Sequence, residues 1–257
     1  MITMGLDCGS LYFKAVLLRD GEMITSRINE TAGNRTELAS RLVEEVITEA
    51  GLTREELGSV ISTGRGRDLA RQADANDSDI SCIARAVHHL VPGADVIIDI
   101  GAESITTILN GDGGEARDFS RNDKCASGSG RFLEVLTSAL GVSLEEIDVV
   151  AAQATKKALL SGQCGVFMES EVITLVNQGD KARDIVAGIC DAVAKFAASQ
   201  VLRLGSEGKF TVTGGVGRLS SVLRMLDEKL KDDLLPFPVN PQLAAAYGAA
   251  LYGLRKG

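Results

Sequence analysis

Tryptophan is absent from this chain, and aromatic residues of all kinds make up 4% of it. The core must therefore be built from aliphatic and alanine side chains, with few large rings to shape it. Histidine occurs twice, as the adjacent pair His88 and His89. Neighbours on a helix do not face each other, so a paired histidine metal site is a poor reading. There is no Cys-x-x-Cys pair. Five cysteines, Cys8, Cys82, Cys125, Cys164 and Cys190, stand far apart and in odd number, which argues against a disulfide framework. The pattern GxxxxGK[ST] is missing too, which excludes a P-loop NTPase. Apolar runs stop far short of the ~18 residues a membrane span needs. No N-terminal stretch joins a basic region to a long apolar core, as a secretory signal does. A cytoplasmic protein with reduced thiols and no membrane partner is the expectation. Basic charge is scarce as well: the net charge is −8 and the pI is near 4.9. Binding a phosphate backbone needs clustered Lys and Arg, so no nucleic-acid partner is expected. The nearest approach to a basic patch, TGRGRDLAR at residues 63–71, reads as a solvated helix start.

Glycine, by contrast, is plentiful, with 28 residues gathered in clusters. In a chain of 257 residues that is 45% hydrophobic and 24% charged, this describes a soluble globular protein of one large or two modest domains. The glycines mark an internal repeat. MGLDCGSLYFKAVLLRDGEMITSRI near the N-terminus is answered by VIIDIGAESITTILNGDGGEARDFS later on. Asp7 and Asp99, Gly9 and Gly101, Asp20 and Asp112, and Gly21 and Gly113 are each 92 positions apart. Each copy reads as an apolar strand, an Asp-x-Gly turn, a second strand, an Asp-Gly turn and a third strand. Apolar periodicity predicts helices over 35–50, 80–90, 131–140, 166–177 and 181–204. Glycines 51, 141, 179 and 205 serve as stop signals for four of them. A strand at 210–213 runs through a double-glycine turn to a helix from Ser220, and PFPVNP precedes a small-residue helix, LAAAYGAALYG. This alternation indicates an α/β fold with mixed sheets.

Three glycine turns each follow an apolar strand: DCGS at 7–10, DIGA at 99–102 and TGGVG at 213–217. Glycine lets backbone N–H groups close on an anion. An Asp at the strand end is suited to hold Mg²⁺ beside phosphates, usually through water. Lys14, on the outgoing strand, brings a positive charge toward them. One such turn would be an ordinary hairpin, whereas two in duplicate plus a strand-GG-helix turn favour nucleotide binding. The pattern resembles the actin–sugar kinase–heat-shock ATPase superfamily. That resemblance implies a two-lobed actin-like (ribonuclease H-like) ATPase fold with duplicated mixed sheets and an interlobe nucleotide cleft. The lobes would be residues 1–94 plus 241–257, and 95–240. The two hairpins would be the phosphate-binding elements and TGGVG the adenosine turn.

Cys125 in NDKCASGSGRF and Cys164 in SGQCGVFMESEV each stand just ahead of a predicted helix, where free N–H groups and the helix dipole favour thiolate. A nucleophile would want a base, and nothing places His88 or His89 near either thiol. An iron–sulfur or four-ligand metal site needs four donors, more than two thiolates supply. A symmetric homodimer would bring four to its twofold axis. From spacing alone, packing thiols remain the default, as they do for Cys8, Cys82 and Cys190.

NDKCASGSGRFLEVL, CGVFMESEVITLV, ISTGRGR, DIVAGI (184–189) and VTGGVGR together resemble the activator ATPases of 2-hydroxyacyl-CoA dehydratases and the related ATPase subunits of benzoyl-CoA reductase. The resemblance spans essentially the whole chain. It implies that Cys125 and Cys164 bind one [4Fe-4S] cluster shared across a homodimer, or across a pair of related subunits. It also implies that Asp7, Gly9, Ser10, Lys14, Asp99, Gly101 and Ala102 handle ATP phosphates and Mg²⁺, with Gly214 and Gly215 beside adenosine. ATP would then drive a low-potential electron, taken from ferredoxin or flavodoxin, into an anaerobic dehydratase- or reductase-type partner by changing the angle between the helices flanking the cluster. The family commonly reads DIGGQD at the second turn, followed shortly by Lys. Here it reads DIGAES followed by Ile105 and Thr106. Ala102 is like one benzoyl-CoA reductase ATPase subunit, Glu103 takes the place of the glutamine that would orient the attacking water, and Ser104 weakens a metal role there. Two rivals share the fold: a sugar kinase similar to N-acetylglucosamine kinase, and a regulatory subunit that binds nucleotide without turnover. Glu169 and Glu171 read as helix-start stabilisers or nucleotide contacts, and Lys156 and Lys157 as a solvated face.

Overall fold

Each copy of the repeat folds into three consecutive strands joined by its two predicted turns. The computed structural model describes residues 1–122, 127–161, 165–205, 208–231 and 233–256. In the first copy β1 (Ile2–Cys8) pairs antiparallel with β2 (Tyr12–Arg19), and β2 with β3 (Glu22–Glu30). On the far side of β1 lie β4 (Ser59–Thr63), parallel to it, and the two-residue β5 (Ala75–Asn76), giving the order β3-β2-β1-β4-β5. The second copy supplies β6 (Val96–Ile100), β7 (Ile105–Asn110) and β8 (Ala116–Asn122). There β9 (Phe210–Thr213) joins β6 in parallel, and the order is β8-β7-β6-β9. The helices are α1 (Arg35–Glu49), α2 (Asp79–Leu90), α3 (Gly130–Ser138), α4 (Ile147–Ala152), α5 (Gly165–Asn177), α6 (Ala182–Arg203), α7 (Ser220–Leu230) and α8 (Ala244–Lys256).

The chain divides into two compact units. The first is Met1–Gly93 with Asn110–Arg117 and Phe237–Gly257, and the second is Ala94–Leu109 with Asp118–Pro236. In the first unit the sheet is covered on both faces, and the strand period sorts its residues. Phe13, Ala15 and Leu17 of β2 join the cluster under α1, whereas Val16 and Leu18 join the one under α2 and α8. Helix α1 starts where the Asn34 side chain accepts from the N–H groups of Thr36 and Glu37, and its stripe Leu38, Leu42 and Val46 is buried. The small-residue run of α8 reflects close approach. A methyl on Gly248 would strike the Cys82 carbonyl of α2, and one on Gly5 of β1 would strike the Ala246 carbonyl.

The second unit is organised around α6. This helix is long and apolar enough to cross a membrane by length and composition, but most of it is buried in this unit's core. Ile185, Ile189, Val193, Ala197 and Val201 pack there with Val96, Ile98 and Ile100 of β6 and with residues of α3 and α7. Three elements go beyond the sequence reading: β4, read there only as part of a motif, the two-residue β5 and the six-residue α4. The single 3-10 turn Arg67–Leu69 stands where a helix start was expected.

Candidate functional site

The first turn sits at the C-terminal end of β1. Antiparallel pairing sets Lys14 opposite Asp7, and the Lys14 Nζ donates to Asp7 Oδ2 at 2.8 Å with both side chains largely buried. Burial raises the Asp7 carboxyl above its ordinary value, although the charge and hydrogen bond of Lys14 act in the other direction. A side chain at Gly9 would meet the Tyr12 carbonyl and the Lys14 ammonium, so the turn closes only around glycine. Arg35, the first residue of α1, donates to the Gly9 carbonyl at 2.9 Å, and the Gly66 N–H donates to the Cys8 carbonyl at 2.9 Å. Ser10 is half-buried at the turn. Arg35 was not singled out from sequence, because its partner is a backbone carbonyl 26 positions away.

The second turn repeats the design at the end of β6. Asp99 is half-buried and lies in register with Thr106 on one side and Thr213 on the other, and Thr213 Oγ1 donates to Asp99 Oδ1 at 2.9 Å. The Gly101 N–H donates to the Ser104 carbonyl at 2.9 Å, closing the turn; Ala102 is half-buried and Glu103 exposed. From β8, Arg121 Nε donates to Thr106 Oγ1 at 2.9 Å. Gly214 begins the third turn at φ 81°, and a methyl there would run into the Ile100 carbonyl. Gly215 opens the 3-10 turn Gly215–Arg218. In each sheet, then, a carboxylate and a glycine turn stand at the C-terminal ends of parallel strands. Ligands of open α/β sheets bind at such ends.

The second turn also carries a helix. The first N–H groups of α3, from Gly130 and Arg131, have no partner within the helix, and they donate to the carbonyls of Gly101 and Ala102 at 2.9 Å each. Val216 of the third turn lies beside Gly130. Cys125 and Cys164 lie outside the described residues. The chain just after each of them is described, and the two stretches meet: the Gly165 N–H, at the start of α5, donates to the buried Ser127 Oγ at 2.8 Å. The described residues that follow the two cysteines in sequence therefore meet within the second unit.

The remaining cysteines have no such setting. Cys8, Cys82 and Cys190 are buried, and burial pushes each thiol up to about 12, the condition of an inert packing residue. Among the other singled-out residues, His88 packs against Gly114, and His89 lies 6.0 Å from the Tyr247 ring. Lys156 pairs with Asp180, and Lys157 with Asp191 and Glu228, all on exposed or partly exposed surface. Glu171 accepts from the Ser161 N–H at 2.9 Å, anchoring the segment before α5.

Duplicated Asp-x-Gly hairpins, a third glycine turn and a helix hung on the second hairpin define a nucleotide-handling protein of the actin-like class. Residues 4–253 match the BadF/BadG/BcrA/BcrD ATPase family, and the chain belongs to that family of ATPases. It is 39% identical to the activator of lactoyl-CoA dehydratase of Anaerotignum propionicum over 98% of this chain and 97% of that protein. The crystallised activator of the 2-hydroxyisocaproyl-CoA dehydratase from Clostridium difficile, with bound ADPNP, is 36% identical and superposes with a TM-score of 0.93, covering 100% of this chain and 95% of that one. A ROK family glucokinase from Streptomyces griseus, at 15% identity and a TM-score of 0.65 over 100% of both chains, shares the fold alone.

Proposed function

We propose that this ATPase is an activator that uses ATP to pass a low-potential electron to a 2-hydroxyacyl-CoA dehydratase-type partner. The observation that carries the reading is the tie between the second turn and α3. Any shift of Gly101 and Ala102 on nucleotide binding pulls on the helix that follows the Cys125 segment, and Ser127 links that segment to the start of α5. Asp7, Gly9, Ser10 and Lys14 in the first unit, and Asp99, Gly101 and Ala102 in the second, handle phosphates and Mg²⁺. Gly214 and Gly215 flank adenosine, and the exposed Glu103 orients the attacking water.

Cys125 and Cys164 would hold a [4Fe-4S] cluster, which when bound supplies a one-electron centre of low potential. One chain offers two of the four thiolates required, so a second copy completes the set on a twofold axis. In support, α5, the helix that follows the Cys164 segment, leaves the apolar side chains Phe167, Ile173 and Val176 at 68%, 54% and 48% exposure, where a second copy would cover them. Ferredoxin or flavodoxin is the electron donor in this reading, and the setting is an anaerobic cytoplasm.

Anaerobic purification followed by iron analysis and electron paramagnetic resonance, with and without Mg-ATP, tests it. The expected result is about four irons per dimer and a reduced-state signal that changes with nucleotide. Cys125→Ser and Cys164→Ser should each lose the iron while still binding Mg-ADPNP. An iron-free, colourless protein with sugar-dependent ATP turnover would make it a kinase, and a signal indifferent to ATP would leave a regulatory subunit.

A further inference from the structure

The strand-end rows of the two sheets follow one pattern, with one exchange. Across the first sheet the register sets Ile28 of β3 beside Lys14 of β2, Lys14 beside Asp7 of β1, and Asp7 beside Thr63 of β4. Across the second, Thr106 of β7 lies beside Asp99 of β6, and Asp99 beside Thr213 of β9. Residues directly opposite on neighbouring strands put their side chains on one face, so each row is a line of interacting groups. The aspartates correspond and so do the threonines on the parallel strand. Lys14 and Thr106 also correspond, being 92 positions apart like the aspartates. At this position the lysine that pairs with Asp7 at 2.8 Å has become a neutral hydroxyl.

The positive charge is not lost from the second row. From β8, the strand one further out, the Arg121 Nε–H reaches back to the Thr106 hydroxyl at 2.9 Å, whereas in the first sheet the neighbour of Lys14 on the outer strand is Ile28. The cation-bearing residue has moved outward by one strand spacing of about 4.8 Å, and its side chain spans that distance to return the charge to Thr106. An arginine can make that reach where a lysine on the same strand would deliver only a point charge at its tip. Its planar guanidinium spends one N–H on threonine and keeps its charge at any pH a protein survives.

We propose that Arg121 is the cation of the second phosphate turn: it holds beside Asp99 the positive charge that Lys14 holds beside Asp7, and so sets the affinity of that turn for a Mg-nucleotide. The inference rests on the reading that both Asp-x-Gly turns handle nucleotide phosphates. It makes Arg121 a positioning residue that acts through its field and through Thr106.

The test is calorimetric binding of Mg-ADPNP to the anaerobically prepared protein and to three variants, with melting curves alongside. Arg121→Ile removes charge and donor, and should weaken binding roughly tenfold, the size of one charge-assisted interaction. Arg121→Gln keeps a donor for Thr106 without the charge, and should weaken binding as much and flatten its dependence on salt. The double variant Thr106→Lys with Arg121→Ile rebuilds the first sheet's arrangement, and should return to within about threefold of the parent. Parent-like affinity in Arg121→Gln, or no recovery in a folded double variant, overturns the proposal while leaving nucleotide binding in place. A parent that does not bind Mg-ADPNP at all overturns the nucleotide reading, and this inference falls with it.

Discussion

Alanine in place of Gly214 tests how the third turn is held against the second. The residue sits at φ 81° and ψ 176°, a region populated almost only by glycine, where another residue costs about 1–3 kcal/mol. The added methyl would also press on the Ile100 carbonyl, a backbone atom that cannot rotate aside, and overpacking of this kind costs about 1–3 kcal/mol. The sum is centred near 4 kcal/mol. Gly179, which follows α5, provides the control. Its φ of 83° is nearly the same, but an added methyl there meets nothing within 4 Å, so Gly179→Ala should cost only about 1–2 kcal/mol. In thermal melts of a chain this size, at about 2–4 °C per kcal/mol, the first variant should lose on the order of 10 °C and the second a few degrees. Ile100 is followed by Gly101, whose carbonyl caps α3. Gly214→Ala should therefore weaken Mg-ADPNP binding, and Gly179→Ala should leave it unchanged. Equal melting losses in the two variants would refute the close-approach argument. Full nucleotide affinity in a destabilised Gly214→Ala would refute the placement of this turn at the nucleotide.

Asp148 of α4 accepts from the N–H groups of Ser220 and Ser221 at 2.9 and 2.8 Å, capping α7 from outside, so Asp148→Ala should cost about 1 kcal/mol and Asp148→Asn less. Burial pushes that carboxyl up, but the serine hydrogen bonds more than offset it and hold it below its ordinary value. A depressed carboxyl stabilises above its unfolded pKa and stops doing so as acid titrates the folded form. The melting gap between parent and Asp148→Ala should therefore close below about pH 4, and a gap constant from pH 7 to pH 3 would refute the assignment. Asp184 accepts from the N–H groups of Thr155 and Lys156 at 2.8 and 3.2 Å; Asp184→Ala should speed hydrogen exchange at 155–156, and unchanged exchange there would refute its anchoring role. Of five cysteines, three are buried with thiols near 12, so the native iron-free chain should take up no more than two equivalents of a thiol reagent at pH 8 and all five once unfolded.

What was legible in the sequence was local. The two meanders could be read because alternation, Asp-x-Gly turns and a fixed offset are all short-range signals, and they define β1 to β3 and β6 to β8. Helices with a long stripe and a glycine stop, such as α1 and α6, were legible for the same reason. The six residues of α4 carry too little periodicity to register, and its service to α7 spans 72 positions, so no window shows it. The exchange of Lys14 for Arg121 was hidden by the turns themselves. Two residues separate β2 from β3, but five separate β7 from β8, so the offset that aligns the first two strands of each copy fails at the third. Cys125 and Cys164 were joined only by family resemblance. The contact that brings their neighbours together links Ser127 to Gly165, 38 positions apart and between different elements.

Duplication explains why there are two Asp-x-Gly turns, but not why they hold different partners. The difference lies in what each turn holds. The first is pinned by Arg35 of α1 and by the Gly66 amide, both of its own unit. In the second, the carbonyls of Gly101 and Ala102 accept instead from the first amides of α3. Moving the second turn must either carry α3 along or break two backbone hydrogen bonds, at roughly 1 kcal/mol net each. A tie of about 2 kcal/mol lies in the range of measured coupling energies between sites. In the activator reading proposed above, a tie of that size would be strong enough to bias a two-state helix arrangement and weak enough for hydrolysis to release it. The same hairpin, copied once, is held by Arg35 and Gly66 in the first unit and holds the start of α3 in the second.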